Sequence, residues 1–220
     1  MSQVDVIAID GPVASGKGSV SSGVAKVLGF HVLDSGALYR LTALACMNQG
    51  MDLGDAAAAE KVARLLKPLF KDGKIYLEGK DVTDAIRTEE VGLNASKIAA
   101  YSGVRKALFE LQRRSAVEPG LVADGRDMGS VVFPEARLKI FLTASAESRA
   151  KRRYNQLKEK GISSNIDDLV SDLKDRDRRD MERSVAPLKP AEGARILDSS
   201  DLTLQETIDQ VLAWYRESKA

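Results

Sequence analysis

A layered α/β fold, with a parallel five-stranded sheet flanked by helices, is what this 220-residue sequence predicts. Five short apolar runs, "VDVIAI" (4–9), "FHVLD" (30–34), "LVAD" (121–124), "LKIFLT" (138–143) and "RILD" (195–198), alternate with long helix-like stretches, the pattern of a sheet built by crossovers. Four of the five carry an aspartate at or just beyond their ends, where such sheets place ligands. The first run opens into "GPVASGKGS" (11–19), three glycines and a lysine in nine residues, a density that suits backbone approaching a ligand closely.

Taken in chain order, 4–9 reads as a buried strand. After the glycine-rich stretch, Val20, Val24, Val27 and Leu28 recur at helical spacing until Gly29 stops the helix. Between Gly50 and about Tyr101 the pattern changes. An alanine-rich helix (Asp55 to Lys67) leads into "DGKIYLEGKDV", whose alternation about a central "EGK" predicts a small hairpin, so 41–101 is expected to be an insertion in a core formed by 1–40 and 102–220. From Ser145 to Ser184 the chain is densely charged, and Gly161 with "SSN" divides it into two helices. "VAPLKPAEG" (185–193) predicts a loop back to the core. Thr203 and Glu206 have capping-box spacing, and Ile208, Val211, Leu212 and Tyr215 form the buried stripe of a packing helix behind them.

Composition narrows the function. An apolar content of 44% supports a real core, and 33 Lys and Arg against 32 Asp and Glu give no bulk basic field for nucleic acid. Cys46 is the single cysteine and His31 the single histidine, which excludes an internal disulfide and multi-cysteine metal sites. His31, inside a strand run, reads as structural. No bilayer-length apolar run or signal-like N-terminus is present, so a cytoplasmic protein with no membrane partner is expected.

Gly11, Pro12, Val13, Ala14, Ser15, Gly16 and Lys17 fill the first seven positions of G-x-x-x-x-G-K-[ST], between a predicted strand and a predicted helix. Successive amides form a nest for phosphate oxygens, the helix N-terminus adds positive potential, and Lys17 reaches the outer phosphates. A dinucleotide-binding reading fails because Ser21 stands where a third small glycine or alanine belongs. Gly18 occupies the Ser/Thr position and the hydroxyl follows at Ser19, a G-K-G-S variant that resembles the loop of nucleoside monophosphate kinases.

Behind this loop, "LDSGALYR" (33–40), "NASKIAA" (94–100), "GVRKALFELQR" (103–113), "ADGRDMGSVVFP" (123–134) and "RSVAPL" (183–188) occur in an order that resembles the bacterial cytidylate kinases over nearly the whole chain. The resemblance implies a phosphate-loop NTPase-type sheet with an inserted monophosphate-binding subdomain and a short helical lid at about 150–165. It further implies a monomeric, magnesium-dependent enzyme that moves the γ-phosphoryl of ATP to CMP or dCMP. Carried over by motif, Ser35, Arg40, Ser96, Arg105, Arg126 and Asp127 contact the acceptor. The chemistry suits them: hydroxyls and a carboxylate can read cytosine's exocyclic amine, and arginine forks suit a dianionic phosphate. Arg126 and Asp127 could instead pair with each other in a strand-end turn.

Asp124 ends "LVAD", the position from which phosphate-loop enzymes point a carboxylate at Mg²⁺, and Ser19 is the accompanying hydroxyl. Asp34 could serve the ribose, the metal shell or a helix cap. In "DRDRRDMERS", Arg176, Arg179 and Arg183 stand at i, i+3 and i+7 and are expected to share one helix face, although Asp172, Asp175 and Asp180 lie near enough to make an ordinary solvated helix. The resemblance assigns phosphate contacts to Arg176 and Arg183, and Arg152 or Arg153 would touch ATP. Lys17, Arg126, Arg176 and Arg183 are thus the expected catalytic set, with no general base, because the acceptor oxygen is already ionised. The alternatives left open are a UMP or AMP kinase and a nucleotide-dependent switch.

Overall fold

Val6–Asp10 (β1) is buried at every position, as an apolar run at the centre of a sheet must be. In the computed structural model, which describes residues 4–159 and 161–219, β1 pairs in parallel with Leu121–Gly125 (β6) on one side and Leu138–Thr143 (β7) on the other. Arg195–Asp198 (β8) pairs in parallel with β7, and His31–Asp34 (β2) lies beyond β6, giving the five-stranded order β2-β6-β1-β7-β8. Because β1 is flanked by strands from later in the chain on both sides, its C-terminal end is a topological switch point, where such sheets open a crevice for ligands.

Two units divide the chain: Met1–Leu33 with Ser115–Ala220, and Asp34–Arg114. The predicted insertion at 41–101 lies inside the second unit, whose bounds run wider at both ends.

The first unit carries the five-stranded sheet. Its core joins Ile7, Ile9, Val122, Ile140 and Leu142 of the sheet to Val20 and Val24 of Lys17–Leu28 (α1) and to Ile208, Val211, Leu212 and Tyr215 of Leu204–Glu217 (α8). Gly23 lets these helices approach, since a Cβ there would lie 2.3 Å from Ile208 Cδ1. The α1 stripe is narrower than the spacing predicts, because Val27 is exposed. Gly29 ends the helix in a left-handed turn (φ 70°). Thr203 and Glu206 form the expected capping box of α8. That last helix also moors the start of β1: Tyr215 Oη donates to Asp5 Oδ2 at 2.6 Å, and Arg137 and Lys219 pair with the same carboxylate. The charged segment forms Ala146–Glu159 (α6) and Ile166–Glu182 (α7), which pack on each other.

The second unit holds Ser35–Asn48 (α2), Ala56–Leu65 (α3), Glu89–Ile98 (α4) and Ser102–Arg113 (α5). The expected single hairpin is instead a three-stranded antiparallel sheet: Pro68–Lys71 (β3), Lys74–Leu77 (β4) and Lys80–Asp81 (β5). Sequence reading missed β3 because its strand begins at a proline, tolerated at a strand's first position on an edge. Asp72-Gly73 and Glu78-Gly79 each place two consecutive residues at positive φ, the geometry of two-residue hairpin turns.

Candidate active site

Asp10 hands the chain from β1 to the glycine-rich loop. Gly11 is required by close approach, since a Cβ there would lie 2.0 Å from the Leu142 carbonyl oxygen. Left-handed residues follow at Ala14 (φ 58°) and Gly16 (φ 92°), and such alternation turns successive amides inward. Gly16 is the N-cap of α1 with no side-chain cap, and the first turn carries no acidic residue of its own, so the helix start keeps amides to offer an anion. Val13 and Ala14 are partly exposed, Pro12 and Ser15 buried, and Gly18 and Ser19 exposed. Lys17 folds back over the loop, donating to the Pro12 carbonyl at 2.7 Å and to Ser15 Oγ at 3.4 Å. Burial, with the charge of Arg126 beside it, pushes Lys17 down to about 7, against the opposing pull of Asp124 and Asp10.

The loop is supported from behind by α6. Arg149 donates from Nε to the Ala144 carbonyl at 2.9 Å, and from Nη1 to the Val13 carbonyl at 3.1 Å. It also makes a two-pronged pair with Asp177 of α7 at 3.1 and 2.5 Å, with both side chains buried. Arg152 donates to the Ser15 carbonyl and Ser199 Oγ at 3.1 and 3.2 Å, and to the Ser199 carbonyl. The position expected to touch a nucleotide therefore holds the loop's backbone in this state. Arg153, beside it, is partly buried.

At the end of β6 the turn "GRDMG" brings Arg126 and Asp127 to the same edge of the sheet. Arg126 Nε donates to Asp180 Oδ2 at 2.9 Å, while Asp127 is buried at the start of a π-helical turn, Met128–Val132. Asp180 reaches this point from α7. Burial works against its charge, but Arg126 first, and then Arg176 and Arg183, hold it below the usual carboxylate range. Three of the arginines predicted from sequence thus gather around one buried acid, next to Lys17, whose own titration feels both Arg126 and Asp180.

The shared helix face expected for Arg176, Arg179 and Arg183 is not what assembles them. Arg183 caps the end of α7 in extended conformation (φ −61°, ψ 138°) and donates to the Ala186 carbonyl at 2.6 Å. Arg179 is exposed. The solvated reading holds for the exposed Asp172 and for Asp175, paired with Arg178 at the surface, and fails for Asp180, which with Leu173 and Asp177 makes the buried stripe of α7. That stripe, at i, i+4 and i+7, was the available signal for both acids. Asp10 was likewise visible only as an acid at a strand end. Its carboxylate accepts the amides of Met128 and Gly129 at 2.7 and 2.8 Å, and burial raises it to about 6 despite those bonds.

Asp124 and Ser19, the two oxygen ligands expected from sequence, both lie near the start of α1. Asp124 is buried at the end of β6, its Oδ2 only 3.5 Å from where a Cβ on Gly18 would sit, and the Ser19 side chain is open. Among the described residues no group of three or more His, Cys, Asp or Glu could hold a metal ion. One carboxylate and one hydroxyl fit Mg²⁺, which binds through one or two protein ligands and leaves the remainder to water and substrate phosphates.

In the second unit, Asp34 caps α2, accepting the Ala37 amide at 3.0 Å, so the helix-capping alternative for Asp34 holds and Ser35 is a buried first-turn residue. Arg40 is fixed by the Ile86 and Thr88 carbonyls at 2.7 and 3.2 Å, and passes over Gly92 so closely that a Cβ there would be 2.8 Å from Nη2. Arg105 lies 5.9 Å from the Tyr39 ring centre and donates to the Ala99 carbonyl at 3.4 Å. Ser96 is half-buried on α4. Sequence reading missed Gly92, whose lack of a side chain makes room for Arg40.

A phosphate nest at the switch point of a parallel sheet, with a lysine and three arginines gathered about a buried acid, defines a phosphate-loop protein equipped to handle phosphoryl groups. The cytidylate kinase family profile matches residues 7–217, and the chain belongs to that family. It is 56% identical to a cytidylate kinase of Cupriavidus necator over 98% of this chain and 97% of the relative. It is 58% identical to that of Bordetella bronchiseptica over 96% and 95%. An uncharacterized protein from Eubacterium ventriosum, of known crystal structure, shares the fold with a TM-score of 0.52 at 11% identity, covering 98% of this chain and 99% of the other.

Proposed function

We infer that this chain is a cytidylate kinase: it transfers the γ-phosphoryl group of ATP to the phosphate of CMP or dCMP, giving ADP and CDP or dCDP, within pyrimidine nucleotide metabolism. The gathering of Lys17, Arg126, Arg176 and Arg183 around Asp180 carries this reading, in a chain whose relatives of near-identical length are cytidylate kinases. In the reaction an ionised oxygen of the acceptor phosphate forms a bond to the γ-phosphorus as the bond to the β,γ-bridging oxygen breaks, and the electron pair leaves with ADP. Such transfer needs alignment and positive charge more than covalent help. No side chain need take a proton.

Gly11 to Ser19 hold the donor's phosphates, and Lys17 leaves the Pro12 carbonyl for them. Arg126, Arg176 and Arg183 bind the acceptor phosphate and the moving group, Arg126 exchanging its bond to Asp180 for phosphate oxygens. Asp127 and Ser96 read the cytosine amine, with Ser35, Arg40 and Arg105 as further acceptor contacts. Uracil would offer Asp127 an acceptor in place of a donor. Ser19 and Asp124 would hold Mg²⁺, which when bound neutralises charge on the donor's phosphates. Residues 34–114 form the acceptor-binding subdomain. The segment at about 150–165 acts as a lid excluding water, with Arg153 turned to ATP.

No helix among the described residues is long and apolar enough to cross a membrane. With the lone Cys46 buried and unpaired, this suits the cytoplasmic setting we propose. The monomeric state rests on the resemblance alone. A coupled ADP-release assay offering CMP, dCMP, UMP, AMP and GMP with ATP and Mg²⁺ tests the whole reading. Turnover is expected with CMP and dCMP well above the other three. Equal rates for all five, or none above ATP hydrolysis, would overturn it.

A further inference from the structure

We propose that Asp10 is a positioning residue for the acceptor: its carboxylate fixes the turn that presents Arg126 and Asp127. It stands one residue before the phosphate loop and touches neither nucleotide in the reading above. It is 3% exposed, so its charge is kept in the interior for some purpose. Oδ1 takes the Met128 amide at 2.7 Å and Oδ2 the Gly129 amide at 2.8 Å. These two amides open the π-helical turn Met128–Val132, whose first carbonyl anchor is Asp127, accepting from Val131 and Val132 at 2.9 and 3.2 Å. The carboxylate therefore does for this turn what a capping side chain does for a helix, from a residue 118 positions away.

The same residue is tied on its other side. Gly11, next in the chain, is pressed against the Leu142 carbonyl so tightly that no Cβ fits. Asp10 consequently joins the first residue of the phosphate nest to the turn carrying Arg126 and Asp127, through its own short, buried side chain alone. β-sheet pairing alone does not do this, because the β1–β6 register ends at Asp10 opposite Gly125, before Arg126 begins. Beyond that point β1 is bonded to the turn through the Asp10 carboxylate.

The inference rests on Arg126 and Asp127 being acceptor contacts, and the experiment separates the two. Asp10→Asn keeps one acceptor oxygen and turns an NH₂ group toward the other amide. The expected result is a KM for CMP raised about tenfold or more, from loss of one charge-assisted bond, with the KM for ATP within about twofold of the parent. Asp10→Glu, which retains both oxygens, should recover part of the loss. Asp127→Ala is the control. If it leaves the KM for CMP unchanged, the acceptor reading fails. If it raises that KM while a folded Asp10→Asn does not, only the role given to Asp10 fails. A lower melting temperature with both KM values unchanged, or both KM values raised alike, also overturns the proposal. Should Asp10→Asn not fold, amide hydrogen exchange of the parent protein decides: slow exchange at Met128 and Gly129 without ligand supports the clamp, and exchange as fast as an open loop removes it.

Discussion

Replacing Arg149 with alanine should unfold this protein more readily than any surface substitution. Arg149 and Asp177 have side chains 6% and 9% exposed, and the guanidinium spends its donors on the Ala144 and Val13 carbonyls and on both Asp177 oxygens. Alanine at 149 leaves a buried carboxylate without its counter-charge and a loop carbonyl without its donor. Breaking a buried pair from one side costs about 3–5 kcal/mol, mostly through the abandoned charge. For a chain of this size each kcal/mol moves the melting temperature by roughly 2–4 °C, so a fall on the order of 10 °C is expected. The double variant Arg149→Met with Asp177→Leu removes both charges and fills the space, and should regain most of that loss. Calorimetric or urea unfolding of parent, both single variants and the double variant completes the cycle. A single-variant loss below about 1 kcal/mol, or a double variant no better than the worse single one, would refute the view that the buried charge sets the cost.

Gly92→Ala would ordinarily favour a helix slightly, yet here its methyl group meets Arg40 at 2.8 Å, so the guanidinium must shift from its place against the Ile86 and Thr88 carbonyls. The KM for CMP should rise several-fold while ATP binding stays put, and an unaltered KM for CMP would count against Arg40 as an acceptor contact. Lys17, depressed to about 7, makes an unfavourable contribution to stability that is complete below pH 7 and fades as pH rises toward the unfolded value near 10.5. ATP binding returns the charge, so calorimetry at pH 8 in buffers of different ionisation heat should show uptake approaching one proton per ATP. A buffer-independent heat would show that Lys17 is already charged in the empty loop.

The strands of the core were legible because central strands in a parallel sheet are buried on both faces and leave unbroken apolar runs. The phosphate loop was legible because amide nests demand glycines at fixed spacing. The arginines proposed for the acceptor came from motifs rather than physics, since a lone arginine on a helix looks the same whether it meets phosphate or water. What stayed hidden was the counter-charge: Asp10, Asp177 and Asp180 sit in sequence surroundings that read as a strand end and a solvated helix, and only tertiary packing tells a buried acid from an exposed one. The edge strand at Pro68 was lost for a different reason, because proline lowers the strand signal where the fold needs one fewer donor.

The mooring of β1 at Asp5 gives its far end a mechanical meaning. The strand that ends in the glycine-rich loop begins next to a carboxylate held by Tyr215, Arg137 and Lys219. The final helix, though outside the proposed site, thus helps to fix where the central strand begins, while its neighbours in the sheet fix the rest of its course.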